Sequence, residues 1–120
     1  MKLQDAFVSE TGTTYGSWKY IGYTMASNTV FTYAEGTLTA GSASTAALPS
    51  TAAEVWSATP VAALNDCAST GTNAGYWKIK IKTAATGNGA GYKAHVKGAD
   101  CNVLAPSFGK LDETGAATID

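Results

Sequence analysis

The chain has 120 residues, which suits one domain and leaves no room for a second. Charged residues make up only 14% of it, the formal net charge is −1, and there is no arginine. This balance excludes a strong overall attraction to nucleic acid or anionic lipid, although a local patch of lysines could still provide one. An apolar content of 45% allows a hydrophobic core, and many small residues with few charges are typical of exported, β-rich proteins.

The chain begins with a helical pattern. Leu3 and Phe7 lie one turn apart with Ala6 between them, which predicts a helix over residues 2–9 that Gly12 can end. Because isolated helices this short are marginal in water, we expect the segment to dock on a sheet and to be the end of a longer helix. It holds no apolar run long enough for a signal peptide or a membrane span, so an exported protein would need a targeting segment that this sequence lacks.

An aromatic-rich connection follows over residues 13–27, with Trp18 and three tyrosines. A connection with so many rings is expected to pack its own side chains onto the domain surface. Trp56 and Trp77 are expected in the core, so Trp18 and the neighbouring tyrosines form the plausible exposed platform for stacking on sugar rings.

The middle of the chain gives weaker signals. Residues 29–39 are rich in β-branched and aromatic side chains and predict a strand, with a turn or bulge at Gly36. Residues 40–53 are low in complexity and carry no assignable pattern. A short apolar run around Val55 predicts a second strand that ends before Pro60.

The clearest pattern is Tyr76-Trp-Lys-Ile-Lys-Ile-Lys82, where apolar residues and lysines alternate strictly. Such alternation predicts an antiparallel strand with one buried face. Residues 86–91 supply a glycine-rich turn, and alternation resumes from Tyr92 to Lys97, so the two runs predict a β-hairpin. The fold class is therefore α+β, with the end of a long N-terminal helix packed on an antiparallel sheet of about four strands.

The alternation assigns side chains to the two faces of the hairpin. The apolar face is expected to receive the helix and form a helix–sheet core of Leu3, Phe7, Trp77, Ile79, Ile81 and Val96. The opposite face carries Lys78, Lys80, Lys82, Lys93 and Lys97, together with His95. This basic face could contact DNA phosphates, anionic surfaces or an acidic patch on a neighbouring subunit. The alternative is a solvated face whose lysines protect the sheet from edge pairing.

Cys67 and Cys101 flank the hairpin. Neither belongs to a C-x-x-C pair and the single histidine cannot complete a zinc site with them, so no metal or other cofactor is expected. In an oxidising compartment they would close a loop of about 35 residues and stabilise the fold by about 4 kcal/mol. The alternative is a pair of buried free thiols in a cytosolic protein. One histidine and no nucleophile motif give no support for an enzyme.

Two segments resemble type IV pilins. Leu3-Gln-Asp-Ala-Phe-Val-Ser-Glu-Thr-Gly-Thr-Thr-Tyr-Gly-Ser17 and Ile21-Gly-Tyr23 are similar to the end of that family's long first helix and to the connection before its first strand. The two cysteines around the last predicted strands resemble the family's disulfide-bounded region. The resemblance implies a single pilin-like head domain over residues 1–120. It also implies that the apolar half-helix of the family lies upstream and that Met1 is an added start.

The resemblance implies a structural subunit that polymerises into a cell-surface pilus for adhesion or motility after export through the inner membrane. Its partners would be the inner membrane before assembly and then other pilin subunits, contacted through the missing helix and the head. Alternatives are a minor pilin or pseudopilin that serves protein secretion or DNA uptake, and an unrelated exported carbohydrate-binding module. Pseudopilins hold calcium near the C-terminus, which makes Asp112, Glu113 and Asp120 a candidate calcium site, although their spacing better fits a solvated acidic tail.

Overall fold

The computed structural model describes residues 2–11, 14–25, 30–36, 38, 42–63, 67–68, 74–84 and 89–120. Its elements follow in the order α1 (Lys2–Thr11), β1 (Thr14–Gly16), α2 (Trp18–Ile21), β2 (Phe31–Ala34), β3 (Thr45–Ala47), β4 (Ala53–Pro60), β5 (Tyr76–Thr83), β6 (Ala90–Lys97), α3 (Ala99–Leu104), a 3₁₀ helix (Pro106–Leu111) and β7 (Thr118–Ile119). The fold is α+β, as predicted, with a short N-terminal helix.

The strands form two sheets rather than one sheet of about four strands. The main sheet has the order β2-β4-β5-β6-β7, and its strands pair antiparallel except for β6 and β7, which are parallel. A separate antiparallel ribbon joins β1, in the aromatic-rich connection, to β3, in the region that carried no assignable pattern. Short strands such as β3 and β7 escape a periodicity argument because two or three residues cannot show alternation.

The predicted hairpin is confirmed. In β5 and β6 the Cα partners are Trp77 with Val96, Ile79 with Ala94 and Ile81 with Tyr92. Because side chains alternate across a strand, these apolar residues share one face of the sheet and the lysines share the other. Residues 86–88 of the predicted turn lie outside the described residues.

The two strands predicted before the hairpin differ in extent from the structure. β2 ends at Ala34, and the chain turns at Gly36, which has a φ of +94° and has no room for a side chain beside the Glu54 carbonyl. β4 is longer than predicted and includes Pro60, whose partner is Phe31 at the first position of β2. A proline at the end of a strand removes only one donor from the ladder.

One end of the apolar sheet face forms the main core. Its buried residues are Val8, Tyr15, Val55, Ile79, Ile81, Tyr92 and Ala94. Ile81 and Ala94 are fully inaccessible to solvent. No helix in the described part of the chain is long and apolar enough to cross a membrane.

The helix α1 uses a different face from the one predicted. Val8 is 2% exposed and packs on the sheet, whereas Leu3 is 42% exposed, so Leu3 is wrong as a core residue. Phe7 is half-buried and packs edge-to-face on Tyr20, with ring centroids 5.1 Å apart, rather than on the sheet. Gln4 lies one turn before Val8 on the same face and is also buried, with its amide hydrogen-bonded to the Gly16 backbone.

The other end of the sheet holds the disulfide. Cys67 and Cys101 are bonded, with Cα atoms 4.7 Å apart, and lie in a buried cluster with Ala58, Trp77 and Val96. The predicted bridge is confirmed, and the alternative of two free thiols is wrong. Trp77 and Val96 are thus core residues, but they pack around the disulfide and not under α1.

Candidate functional site

An apolar cleft of about 410 Å³ opens between the helices and the sheet. It is lined by Leu3, Gln4, Trp18, Ile21, Tyr23, Met25, Val55, Trp56, Ile79, Tyr92, Phe108 and Leu111. Leu3, Met25 and Leu111 remain 38–42% exposed, so apolar surface continues from the cleft to the solvent. The volume lies in the range of sites that receive a small molecule or a few side chains of a partner.

The glutamine of α1 fixes one wall of the cleft. The Gln4 amide donates to the carbonyl of Gly16 at 2.6 Å and accepts from the Gly16 N–H at 3.1 Å. On the same helix, Asp5 accepts a hydrogen bond of 2.8 Å from the Tyr92 hydroxyl. Burial, and then this bond to a carboxylate, raise the pKa of Tyr92 well above its usual range. These contacts attach α1 to β1 and β6 while leaving Leu3 at the opening of the cleft.

Buried polar groups also position the short helix α2. The buried Ser17 hydroxyl donates to the Ser42 carbonyl at 2.6 Å and accepts from the Tyr20 N–H at 3.4 Å as an N-cap. Glu35 accepts from the Trp18 N–H at 2.7 Å. Gly22 ends the helix with a φ of +79°, as glycine does at a C-terminal cap.

Trp18 is a wall of the cleft rather than a free platform. The register of β4 shifts between Glu54 and Trp56, and the Val55 carbonyl at this bulge accepts the Trp18 indole N–H at 2.9 Å. The Tyr23 ring packs edge-to-face on Trp18, with centroids 5.0 Å apart. The Trp18 ring of the candidate sugar-stacking platform is therefore held against the sheet by its own indole N–H, as expected of a connection that packs its rings onto the domain.

The other two tryptophans differ in burial. Trp77 is 5% exposed, and its indole nitrogen has no hydrogen-bond partner among the described residues. Trp56 is only half-buried, and its ring lies in a row with those of Phe31, Tyr33 and Phe108, at centroid distances of 5.9 to 6.1 Å. The expectation that Trp56 is a core residue thus holds only in part.

Carboxylates offset much of the predicted basic face. Lys78 pairs with Glu54 at 3.3 Å, and Lys82 and Lys93 both approach Glu113, at 3.4 and 3.6 Å. The register places Lys80 directly opposite Lys93, so all of these charges share one side of the sheet, and Lys97 lies opposite Tyr76. This face is therefore not strongly cationic, because Glu54 and Glu113 lie among its lysines.

The C-terminal carboxylates bind other parts of the chain and do not converge. Asp112 is 4% exposed; its Oδ2 accepts from the Ala94 N–H at 2.8 Å, and its Oδ1 accepts from the Thr114 N–H and hydroxyl at 2.9 and 2.8 Å. Burial alone would raise the pKa of Asp112, but these hydrogen bonds and Lys93 at 3.7 Å outweigh it and lower that pKa. Among the described residues, no group of three or more His, Cys, Asp or Glu side chains is placed to hold a metal ion. The three carboxylates therefore do not form the candidate calcium site, and the buried Asp112 does not belong to a solvated tail either.

The side chain of Asp120, which follows β7, lies on the lysine side of the sheet. It accepts from the Tyr76 hydroxyl at 2.5 Å and contacts the His95 Nδ1 at 3.0 Å. The bond to Asp120 is the main reason that the pKa of Tyr76 rises to about 12. Burial opposes ionisation of Asp120, but the bonds from Tyr76 and His95 and the nearby charge of Lys80 lower its pKa overall. His95 is thus held by a carboxylate and is not simply solvated.

We expect Asp112→Asn to destabilise the protein at neutral pH by about 1–3 kcal/mol, because one amide oxygen cannot replace two accepting carboxylate oxygens. Since the folded-state pKa of Asp112 is lowered, its stabilisation is present above the unfolded pKa of about 4 and is lost as the pH falls through the folded value. The wild type should therefore lose stability more steeply than the variant below about pH 4.

Urea unfolding followed by circular dichroism at a series of pH values measures this difference. Asp100→Asn is the matched control, because Asp100 is exposed in the first turn of α3. A variant with the stability and acid slope of the wild type would mean that the three hydrogen bonds of Asp112 contribute nothing.

Gln4 and Asp112 were missed as structural polar residues, and the sequence offers little that could have identified them. Gln4 lies in a helix whose apolar pattern favours the neighbouring Leu3, and Asp112 lies in an acidic run that resembles a solvated tail. Only the partners, Gly16 and Ala94, show what these side chains do.

No protein-family model, curated protein or solved structure matches this chain.

Proposed function

We propose that this domain is the head of a type IV pilin, a structural subunit that polymerises into an extracellular, cell-surface filament. The observation that carries the proposal is the apolar cleft beside Leu3, on the first turn of α1. A helix attached through Gln4, Asp5 and Val8, with apolar side chains left at its open side, suits packing against neighbouring subunits. The resemblance of residues 3–17 and 21–23 to pilins gives the class of partner.

Two further features agree with a packing role. The disulfide ties the region after β4 to α3, which supports a surface that must keep its shape outside the cell. The polar clusters around Ser17, Asp112 and Asp120 hold distant parts of the chain together through hydrogen bonds. In this proposal the cleft receives apolar side chains of the next subunit, and the domain acts without a cofactor and not as an enzyme.

The alternatives have less support. DNA uptake by a minor pilin or pseudopilin would use the lysine face, but Lys78, Lys82 and Lys93 have carboxylate partners within 4 Å. A carbohydrate-binding module would need an open aromatic face at Trp18, whose ring is pinned to the Val55 carbonyl.

The test is made in the cells that produce the protein, with the gene otherwise intact. Antibody against the domain should label filaments along their length in electron micrographs, and deletion of the gene should remove both filaments and label. Leu3→Asp should strongly reduce filament number while the amount of protein in the membrane fraction stays unchanged, because a charge at the cleft opposes apolar packing.

Val103→Asp is the matched control, since Val103 is 73% exposed on α3 and does not line the cleft. That variant should assemble normally. Unlabelled filaments, or full assembly of the Leu3→Asp protein, would overturn the proposal.

A further inference from the structure

The outer edge of β6 is completed by the end of the chain. The Val96 carbonyl accepts from the Asp120 N–H at 2.8 Å, and the Cα partners across this edge are His95 with Thr118 and Val96 with Ile119. Residues 118–120 follow Asp112, whose side chain is hydrogen-bonded to Ala94 and Thr114. We call residues 115–120 the strap.

The strap adds little buried surface to the sheet. β7 has only two residues, both exposed, and it runs parallel to β6, which is the weaker pairing per residue. Ile119 is 46% exposed, and only Ala117 packs against the core clusters from this segment. By contrast, the preceding Asp112 is buried and makes three hydrogen bonds, so the firm attachment ends before the strap begins.

The Asp120 carboxylate makes the specific contacts at this edge. Asp120 sits between the Tyr76 hydroxyl and the His95 ring, on the side of the sheet that carries the lysines. A strand that fits here needs an acidic side chain at that position and small or β-branched residues before it. The sequence Gly115-Ala-Ala-Thr-Ile-Asp120 meets that requirement, and every copy of the chain carries it.

A hinge and sufficient reach are also present. Gly115 reverses the chain with a φ of +83°, and glycine can adopt an extended conformation there instead without steric cost. Extended at about 3.3 Å per residue, the six residues of the strap span about 20 Å. In the pairing residues 118–120 lie along β6, so residues 115–117 alone bridge the two copies, over about 10 Å, and the exchange needs copies whose β6 edges lie side by side.

From these observations we propose that the strap exchanges between copies, so that residues 115–120 of one copy pair with β6 of another. Exchange replaces each contact of the strap with an identical one, so its equilibrium depends on the local concentration of copies and on the cost of opening the turn at Gly115. This proposal concerns a different surface from the cleft at Leu3 and does not depend on the pilin assignment.

Disulfide trapping with full-length chains tests the exchange. Because His95 and Thr118 are register partners, a His95→Cys chain mixed with a Thr118→Cys chain should form a mixed dimer through these two residues after mild oxidation at high protein concentration. The dimer is detected on non-reducing gels, and mass spectrometry of the linked peptides identifies the bond. Its yield should fall when the same mixture is equilibrated at low concentration.

Two controls make the result decisive. The double variant His95→Cys/Thr118→Cys should form an internal bond in dilute solution, which shows that the register allows the linkage. A Lys19→Cys chain mixed with the Thr118→Cys chain reports random collisions, because Lys19 is exposed on α2. Exchange is overturned if the double variant closes internally but the mixed pair links no better than the Lys19 control. Failure of the double variant to close overturns it too, because the register itself would then be wrong.

Discussion

Replacing Cys67 and Cys101 with alanine is expected to lower the free energy of unfolding by about 4 kcal/mol. The bonded residues are 34 positions apart, and removing the bridge restores the freedom of that loop in the unfolded chain. Because small domains are stable by only about 5–15 kcal/mol, this loss is a large part of the total. Urea unfolding of the oxidised wild type and the double variant, under the same non-reducing conditions, measures the difference.

The structure also predicts where the loosening appears. Gly75 packs so closely on the sulfur atoms that it has no room for a side chain, and its N–H donates to the Ala68 carbonyl at 2.8 Å. On the other side of the bridge, the Cys101 N–H donates to the Gly98 carbonyl at 3.1 Å. Amide exchange should therefore rise first at Gly75 and in the first turn of α3.

The amides of α1 serve as the internal control, because this helix packs at the opposite end of the sheet. If exchange at Gly75 and Cys101 is unchanged in the variant or rises equally in α1, the bridge is a general stabiliser and does not hold its own region in place.

The second large effect is expected for Ile81→Ala, which should cost about 2–5 kcal/mol. Ile81 is fully inaccessible and lies in the cluster that includes Val8 of α1 and Tyr92 of β6. Shortening its side chain leaves a cavity where the sheet meets the helix, and the surrounding strands can close it only in part. Thermal and urea unfolding both report the loss.

Ile119→Ala is the matched control for this substitution. It removes the same atoms from a side chain that is 46% exposed on β7, so its cost should be a fraction of that at Ile81. Equal effects of the two substitutions would contradict the assignment of Ile81 to the core.

Local repetition explains which parts of the fold were predictable. The alternation from Tyr76 to Lys82 repeats over enough residues to give both the strand and its buried face, and the structure confirms both. In α1, by contrast, the sequence offers two faces that could pack on the sheet. One carries Leu3 and Phe7 and the other Gln4 and Val8, and hydrophobicity alone favours the first.

Distant partners decided the rest. The buried face of α1 depends on two hydrogen bonds between the Gln4 amide and the Gly16 backbone. It also depends on the Tyr92 hydroxyl, which donates a hydrogen bond to Asp5. The charge of the lysine face depends on where Glu54 and Glu113 lie in space. A lysine stripe in the sequence shows the number of positive charges on a face but not the carboxylates that other segments bring to it.

The sequence by itself therefore determined the α+β class, the central hairpin with its two faces, and the pair of cysteines able to bridge. These features depend on side-chain periodicity and on residue type, which are local properties of the chain. Only the tertiary structure decided that Val8 replaces Leu3 in the core, that Trp18 lines a cleft, and that the last residues complete the edge of β6. Each of these depends on hydrogen bonds and packing between residues far apart in the chain, where local patterns carry no information.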